Sequence, residues 1–283
     1  MKKATLLAAL VLSTAAFSQN LKISEIHISS GTGSMGQQQG NLSDFKLLAP
    51  TSSILTKDFS EFQPYEDFYV HGPMQMNSSQ SSFYSLQIGL QCAKMPKVTF
   101  RAGITHISNY GALSTWGSYS ETAPYDTLTS SQTGTISVID TSRIKNYNMN
   151  YSNQQIRLDG AMIFRMFPEK RWSLHTGLGA SIGMSYRANT NINYYEYSTV
   201  NQYGSGSNSN IQQNESFKNK NSLGASLYIP MGVDFGIGKK RSFWMPFHLY
   251  MEARPSLNIN SINGIGSSFS PGMSSAVGLR VKL

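Results

Sequence analysis

Residues 154–186 read QQIRLDGAMIFRMFPEKRWSLHTGLGASIGMSY. Every second position from Ile156 to Met166 is apolar or glycine, while Gln155, Arg157, Asp159, Ala161 and Arg165 fall between them. After FPEK the alternation resumes. Trp172, Leu174, Leu178, Ala180, Ile182, Met184 and Tyr186 share one face; Ser173, His175 and a series of Gly and Ser share the other. Alternation sustained this long is a strand signal. Two such runs joined by a tight turn, apolar on one side and polar or tiny on the other, predict a transmembrane β-hairpin.

Composition agrees with that unit. Of 283 residues only 13% are charged, about half the share in ordinary soluble domains. Apart from the N-terminus, no apolar run is long enough for a membrane helix. A barrel places its lipid-facing residues at alternate positions, so low charge and moderate hydropathy coexist in it. The 15 Tyr, 14 Phe and 3 Trp suit girdles at the headgroups. Residues 1–18, MKKATLLAALVLSTAAFS, have a basic start, an apolar middle and small residues before Gln19, the pattern of a cleaved signal peptide. A barrel domain is expected over 19–283. The single cysteine, Cys92, excludes an intramolecular disulfide; it falls on the expected lipid face near a turn. The formal charge is +8 but scattered, and nucleic-acid binding needs it clustered.

Taken in order, the chain offers eight expected strands: 21–29, with a bulge between Ile23 and Ile26, then 81–92, 97–108, the hairpin above, 223–235, 243–259 and a last strand ending at Leu283. Short links (AKMPK, FPEK, GIGKKR) alternate with long excursions at about 30–80, 109–152 and 188–219, as in barrels with short periplasmic turns and long outer loops. In the first excursion Ser43 is expected to cap a short helix through Leu48. In the second, TISVI and RIKNYNMNY are expected to form a raised hairpin turning at 140–142; ten strands follow if they enter the membrane. The third is expected to be an exposed loop.

The leader, the repeated alternation and a chain ending inside its last strand resemble the outer-membrane β-barrel families of Bacteroidota, with small OmpA/OmpX-type eight-stranded barrels as the architectural parallel. That resemblance implies an all-β up-and-down barrel in the outer membrane, with loops on the cell surface and termini in the periplasm. It implies no particular activity.

Alternation projects Arg101, Arg157, Asp159, Arg165, Asp234, Glu252, Arg254 and Arg280 into the lumen, with His175, Tyr228, His248 and Tyr250. Eight strands enclose just enough room for side chains, and buried charges must be paired. An ion-pair plug is therefore expected in place of a pore. His106 and Ser108, in the string HISN, are the candidate catalytic pair. The string is similar to the H-x-S-N motif of PagL-type lipid A deacylases, which implies Ser as nucleophile and His as base. A carboxylate such as Glu121 would have to complete the set, and its place in a long excursion counts against it. The run GTGSMG at 31–36 matches a nucleotide-loop pattern but lacks the following helix that would hold phosphate; a flexible loop is expected. His71-Gly72-Pro73 reads as a turn. No cofactor and no metal site is expected. The function expected from these features is that of a non-enzymatic surface-exposed barrel acting as an interaction or scaffold subunit, with a lipid A acyl hydrolase as the alternative. Expected partners are outer-membrane lipid and lipopolysaccharide and, through the excursions, other outer-membrane or surface proteins.

Overall fold

A computed structural model describes residues 21–64, 78–93, 95–201, 208–238 and 243–283. The signal-peptide segment, His71-Gly72-Pro73 and part of the GIGKKR link lie outside the described residues. The strands are β1 (Leu21–Gly36), β2 (Gln38–Gln39), β3 (Gln63–Pro64), β4 (Ser78–Cys92), β5 (Val98–Thr129), β6 (Ile136–Met166), β7 (Trp172–Asn201), β8 (Asn208–Lys218), β9 (Leu223–Tyr228), β10 (Met231–Gly236), β11 (Phe247–Ile262) and β12 (Gly266–Lys282). One α-helix, α1 (Leu42–Leu48), and a 3₁₀ turn at Ile54–Thr56 separate β2 from β3.

Antiparallel pairing runs β1–β4–β5–β6–β7 and β11–β12–β1. β9 and β10 both lie between β7 and β11 and close the ring. They form one wall position interrupted at Ile229-Pro230, where proline has no N–H for the ladder. The chain is therefore a transmembrane antiparallel β-barrel.

Its burial is inverted. Arg157 and Arg280 are among the largest fully buried side chains, while Leu158 is 65% and Ile182 64% exposed. In water this would be the wrong way round, since charged residues are almost never fully buried unless paired. A hydrocarbon solvent around a closed barrel removes the contradiction. On β6 the outward apolar positions run from Ile156 to Met166, about 25 Å along the barrel axis once strand tilt is allowed for. At the end carrying the short turns, Phe243, Trp244 and Phe247 cluster with ring centroids 5.5–5.9 Å apart, and Trp172 meets Phe235 at 4.5 Å. Aromatics of this kind mark a headgroup level.

Three expectations about the strands are corrected. No turn interrupts 140–142; β6 is continuous there, and its hairpin with β5 turns at 130–135. Residues 188–219 include the upper part of β7 and β8, paired from Asn189↔Lys218 to Thr199↔Asn208. The glycine run 31–36 lies within β1, and a side chain at Gly31 would meet the Ser275 carbonyl oxygen at 2.1 Å and the Phe83 ring at 2.6 Å. The expected bulge exists, with the β1–β4 register slipping between Ile23 and Glu25. Cys92, expected on the lipid face, is instead buried and lines a recess at the short-turn end.

Beyond the belt, β5, β6, β7 and β8 continue as a raised sheet. Segment 38–64 folds against its inner face. The helix N-cap is Asn41, not Ser43: Asn41 Oδ1 accepts from Asp44 N at 2.9 Å, and Asp44 Oδ2 accepts from Asn41 N at 3.0 Å. This reciprocal pair satisfies two otherwise orphaned backbone donors. Phe45, Leu48, Ile54, Leu55, Phe59 and Phe62 are buried against Tyr147, Met149, Ile192 and Tyr194 of the sheet. Burial of each large apolar side chain contributes up to roughly 1.5–3 kcal/mol. β2 pairs β5 in parallel and β3 pairs it antiparallel, so both ends of this cap are stitched to the sheet.

Candidate functional site

Inward positions of the wall build two ionic tiers. In the tier nearer the short turns, Glu25 accepts from Arg165 Nη1 and Nη2 and from Arg280 Nη1, each at 2.8 Å. His27 Nε2 lies 3.0 Å from Glu25. Arg280 turns its other edge to Asp234, with Nε and Nη2 each at 2.7 Å, and His248 Nδ1 lies 2.8 Å from Asp234 Oδ1. The planar guanidinium suits such two-point pairing. In the next tier Glu252 gathers Arg101 Nη2 at 2.8 Å, Arg254 Nε at 2.5 Å and His175 Nε2 at 2.9 Å. Arg254 lies between the rings of Phe83 and Tyr228, 5.4 and 5.5 Å from their centroids.

Arg157 and Asp159 depart from the expected ion pairing. Arg157 donates to Gln155 Oε1 at 2.7 Å and Ser226 Oγ at 3.4 Å and lies over the Tyr110 ring. Asp159 accepts from Tyr228 Oη and from Thr105 Oγ1 at 3.1 Å. Among the described residues neither has an ion-pair partner within 4.0 Å. The sequence reading missed Glu25 and His27, which anchor the first tier. The bulge at Ile23 was their signal, because one extra residue reverses which side chains face inward.

The candidate catalytic set does not assemble. His106 Nε2 bonds Tyr186 Oη at 2.8 Å, and that hydroxyl donates to Gln154 Oε1 at 2.7 Å. Ser108 Oγ donates to the Ser82 carbonyl at 3.2 Å. Glu121 accepts from Tyr119 Oη at 2.8 Å and lies roughly 45 Å farther along β5. His106, Tyr186 and Gln154 form a polar seam where the apolar belt ends, so a strand-edge role accounts for all three.

The raised sheet separates its chemistry by face. Arg143, Glu196 and Glu215 lie on the inner face. Glu215 accepts from Ser52 Oγ, from Ser53 N at 3.1 Å and from Ser53 Oγ at 2.5 Å, tying β8 to the cap. Burial works to raise its carboxyl, but these hydrogen bonds outweigh that and hold it below the usual carboxylate range. Arg143 pairs with Glu196, and Tyr194 Oη donates to Glu196 at 3.0 Å. Burial, then that carboxylate, pushes the Tyr194 hydroxyl up to about 12. The outward face is different. The row Trp116↔Asn148↔Asn193↔Asn214 crosses four strands, and the next row is Ser118↔Asn146↔Tyr195↔Gln212. Tyr195 and Tyr197 stack at 6.4 Å with ring planes 9° apart. A depression of about 550 Å³ lies over these rows.

No protein-family model matches this sequence, and no curated protein matches it. Solved structures similar to it are membrane barrels. Neisserial surface protein A is 10% identical with a TM-score of 0.35, covering 94% of this chain and 100% of its own. Ail, the attachment invasion locus protein of Yersinia pestis, solved with the heparin analogue sucrose octasulfate, is 11% identical with a TM-score of 0.26, covering 92% and 99%. The translocator domain of the autotransporter NalP from Neisseria meningitidis is 10% identical with a TM-score of 0.23, covering 100% and 96%. At these values the architecture rests on the strand pairing described above.

Proposed function

We propose that this chain is a closed outer-membrane barrel that holds a rigid, folded binding platform on the cell surface, as an interaction or scaffold subunit. The raised sheet with its own hydrophobic core carries this reading. Insertion alone needs only the belt, yet three hairpin strands run well past it and are braced by a capping segment with buried Phe45, Ile54 and Leu55. Preorganised surfaces bind with less ordering cost than loops. The lumen is filled by ionic tiers, which favours display over transport. The short-turn end then faces the periplasm, as the leader and the hairpin lengths together suggest.

The test is purification of the whole chain from its own outer membrane in mild detergent, with stoichiometric identification of bound protein and glycan. A fixed partner is expected. It should be lost when residues 42–56 are replaced by a Gly–Ser linker, while the barrel keeps its heat-modifiable migration. A partner held equally by the linker variant overturns the reading.

A further inference from the structure

Where the raised sheet leaves the belt, the outward face changes character within one row. Ile156, Met184 and Leu223 stand side by side on neighbouring strands and are 48%, 57% and 59% exposed. The next row up is Gln154, Arg187 and Lys220. Gln154 pairs with Arg187; the register passes over Tyr186, and this bulge leaves both Tyr186 and Arg187 exposed. Lys220 stands opposite Arg187. Asn219 N donates to the Ala188 carbonyl and Ser185 N to the Ser222 carbonyl, each at 2.8 Å, which fixes the register on both sides of it. Lys218, two residues back, pairs with Asn189. All three cations are exposed.

This arrangement is destabilising unless an anion joins it. Like charges directly opposite one another repel, and Lys218 adds a third cation roughly 7 Å along the strand from Lys220. Among the described residues, none of the three side chains makes an ion pair or a hydrogen bond. Higher on the sheet the cations are paired, Arg143 with Glu196 and Lys145 with Glu61 at 3.8 Å. The outward positions around the cluster are Gln154, Ser152, Asn189 and Ser216, with no carboxylate among them. A depression of about 300 Å³ that Lys218 and Lys220 line with Leu47 and Ile262 has no Asp or Glu in its wall either.

We propose that Arg187, Lys218 and Lys220 bind the phosphomonoester of a lipid in the leaflet next to the raised sheet. Depth selects a lipid. Met184, Tyr186 and Leu223 lie directly below the cations and would run along its acyl chains, while the cations sit where headgroups begin. Charge selects the ester. A phosphomonoester carries about −1.5 to −2 near neutral pH, a closer match to three cations than a singly charged diester. The Arg187 guanidinium can give two parallel N–H bonds to phosphate oxygens, and the two ammonium groups supply compact charge beside it. The Tyr186 hydroxyl, held between His106 and Gln154, fixes the floor of the site. Taking the raised sheet as the outer end, as the platform reading does, the lipid is a phosphorylated surface glycolipid of the lipid A class.

The experiment is native mass spectrometry of the full chain in detergent after incubation with bisphosphorylated lipid A, the same lipid A dephosphorylated, or phosphatidylglycerol. The wild type should hold the phosphorylated form about tenfold or more tightly than either of the others. Arg187→Gln with Lys218→Gln and Lys220→Gln should erase that preference while the barrel keeps its heat-modifiable migration. Lys220→Gln alone should narrow it, and serves if the triple variant does not fold. Lys46→Gln, which removes an exposed cation outside the cluster, should leave it intact. Equal retention of dephosphorylated lipid A or of phosphatidylglycerol overturns the assignment, as does a preference that survives the triple variant. The platform reading is tested apart from this, because its co-purifying partner should survive the triple variant. Loss of that partner would assign these cations to a protein and overturn the lipid while leaving the platform standing.

Discussion

Glu252 has two arginines and a histidine within 2.9 Å and no exposed side-chain surface. Removing one partner of a buried pair leaves the others uncompensated, at a cost of about 3–5 kcal/mol. Glu252→Ala should therefore lower the temperature at which the barrel loses its compact gel migration; an unchanged transition would mean that water already solvates Arg101 and Arg254. Gly31 acts through space. A Cβ there meets the Ser275 carbonyl oxygen, which belongs to the wall and cannot swing aside. Gly31→Val should destabilise the barrel or move Phe83, seen as a loss of thermal stability in detergent. At this scale the sequence was legible where alternation was unbroken, so Arg101, Arg165 and Arg280 were placed inward. It was illegible for Glu25, whose direction depends on one bulged residue. It also could not show that Arg157 bonds Gln155 on its own strand in place of a carboxylate, because which carboxylates come within reach of it across the lumen is set by strands distant in sequence.

The cap and the raised sheet meet through Glu215, and that contact depends on pH. The docked carboxyl sits below its ordinary range, so undocking takes up a proton. Docking is therefore complete above the ordinary carboxylate range and weakens as pH falls through the lower, docked value. Amide hydrogen exchange at Ile54 and Leu55 should accelerate on acidification, and Glu215→Gln should remove that acid dependence. Exchange equally steep in the glutamine variant would assign the pH effect to another group. The raised sheet was hard to read in sequence. The upper strands are rich in asparagine, serine and tyrosine, residues that score as loop. They are strands because each is paired on at least one side and because the cap buries Tyr147, Met149, Ile192 and Tyr194. Tertiary packing overrides propensity here. The helix was legible from its apolar residues, but its cap shifted from Ser43 to Asn41 because only Asn41 has the acidic residue three positions on that completes the box.

Across the whole molecule two closures stand in series along the barrel axis, and they are independent. The cap covers one mouth. Below it, between the wall strands, the space lined by Arg157, Asp159 and Tyr228 is about 40 Å³, room for about one water. The Glu252 tier and then the Glu25 tier follow, with Arg101, Arg165 and Arg280 bonded to carboxylates on other strands and Arg254 to Glu252 on its own strand. A hydrated ion would have to break both sets of charge-assisted bonds in turn, which are the strong class of hydrogen bond. The seal therefore belongs to the wall, and the cap serves the platform. In planar bilayers the wild type should show no stable single-channel steps. The variant with residues 42–56 replaced by a Gly–Ser linker should be equally silent, because the tiers remain. Conductance appearing only in that variant would locate the seal in the cap and make it a gate. Steps in the wild type would show that the tiers open in the membrane and would return transport to the functions this barrel can perform.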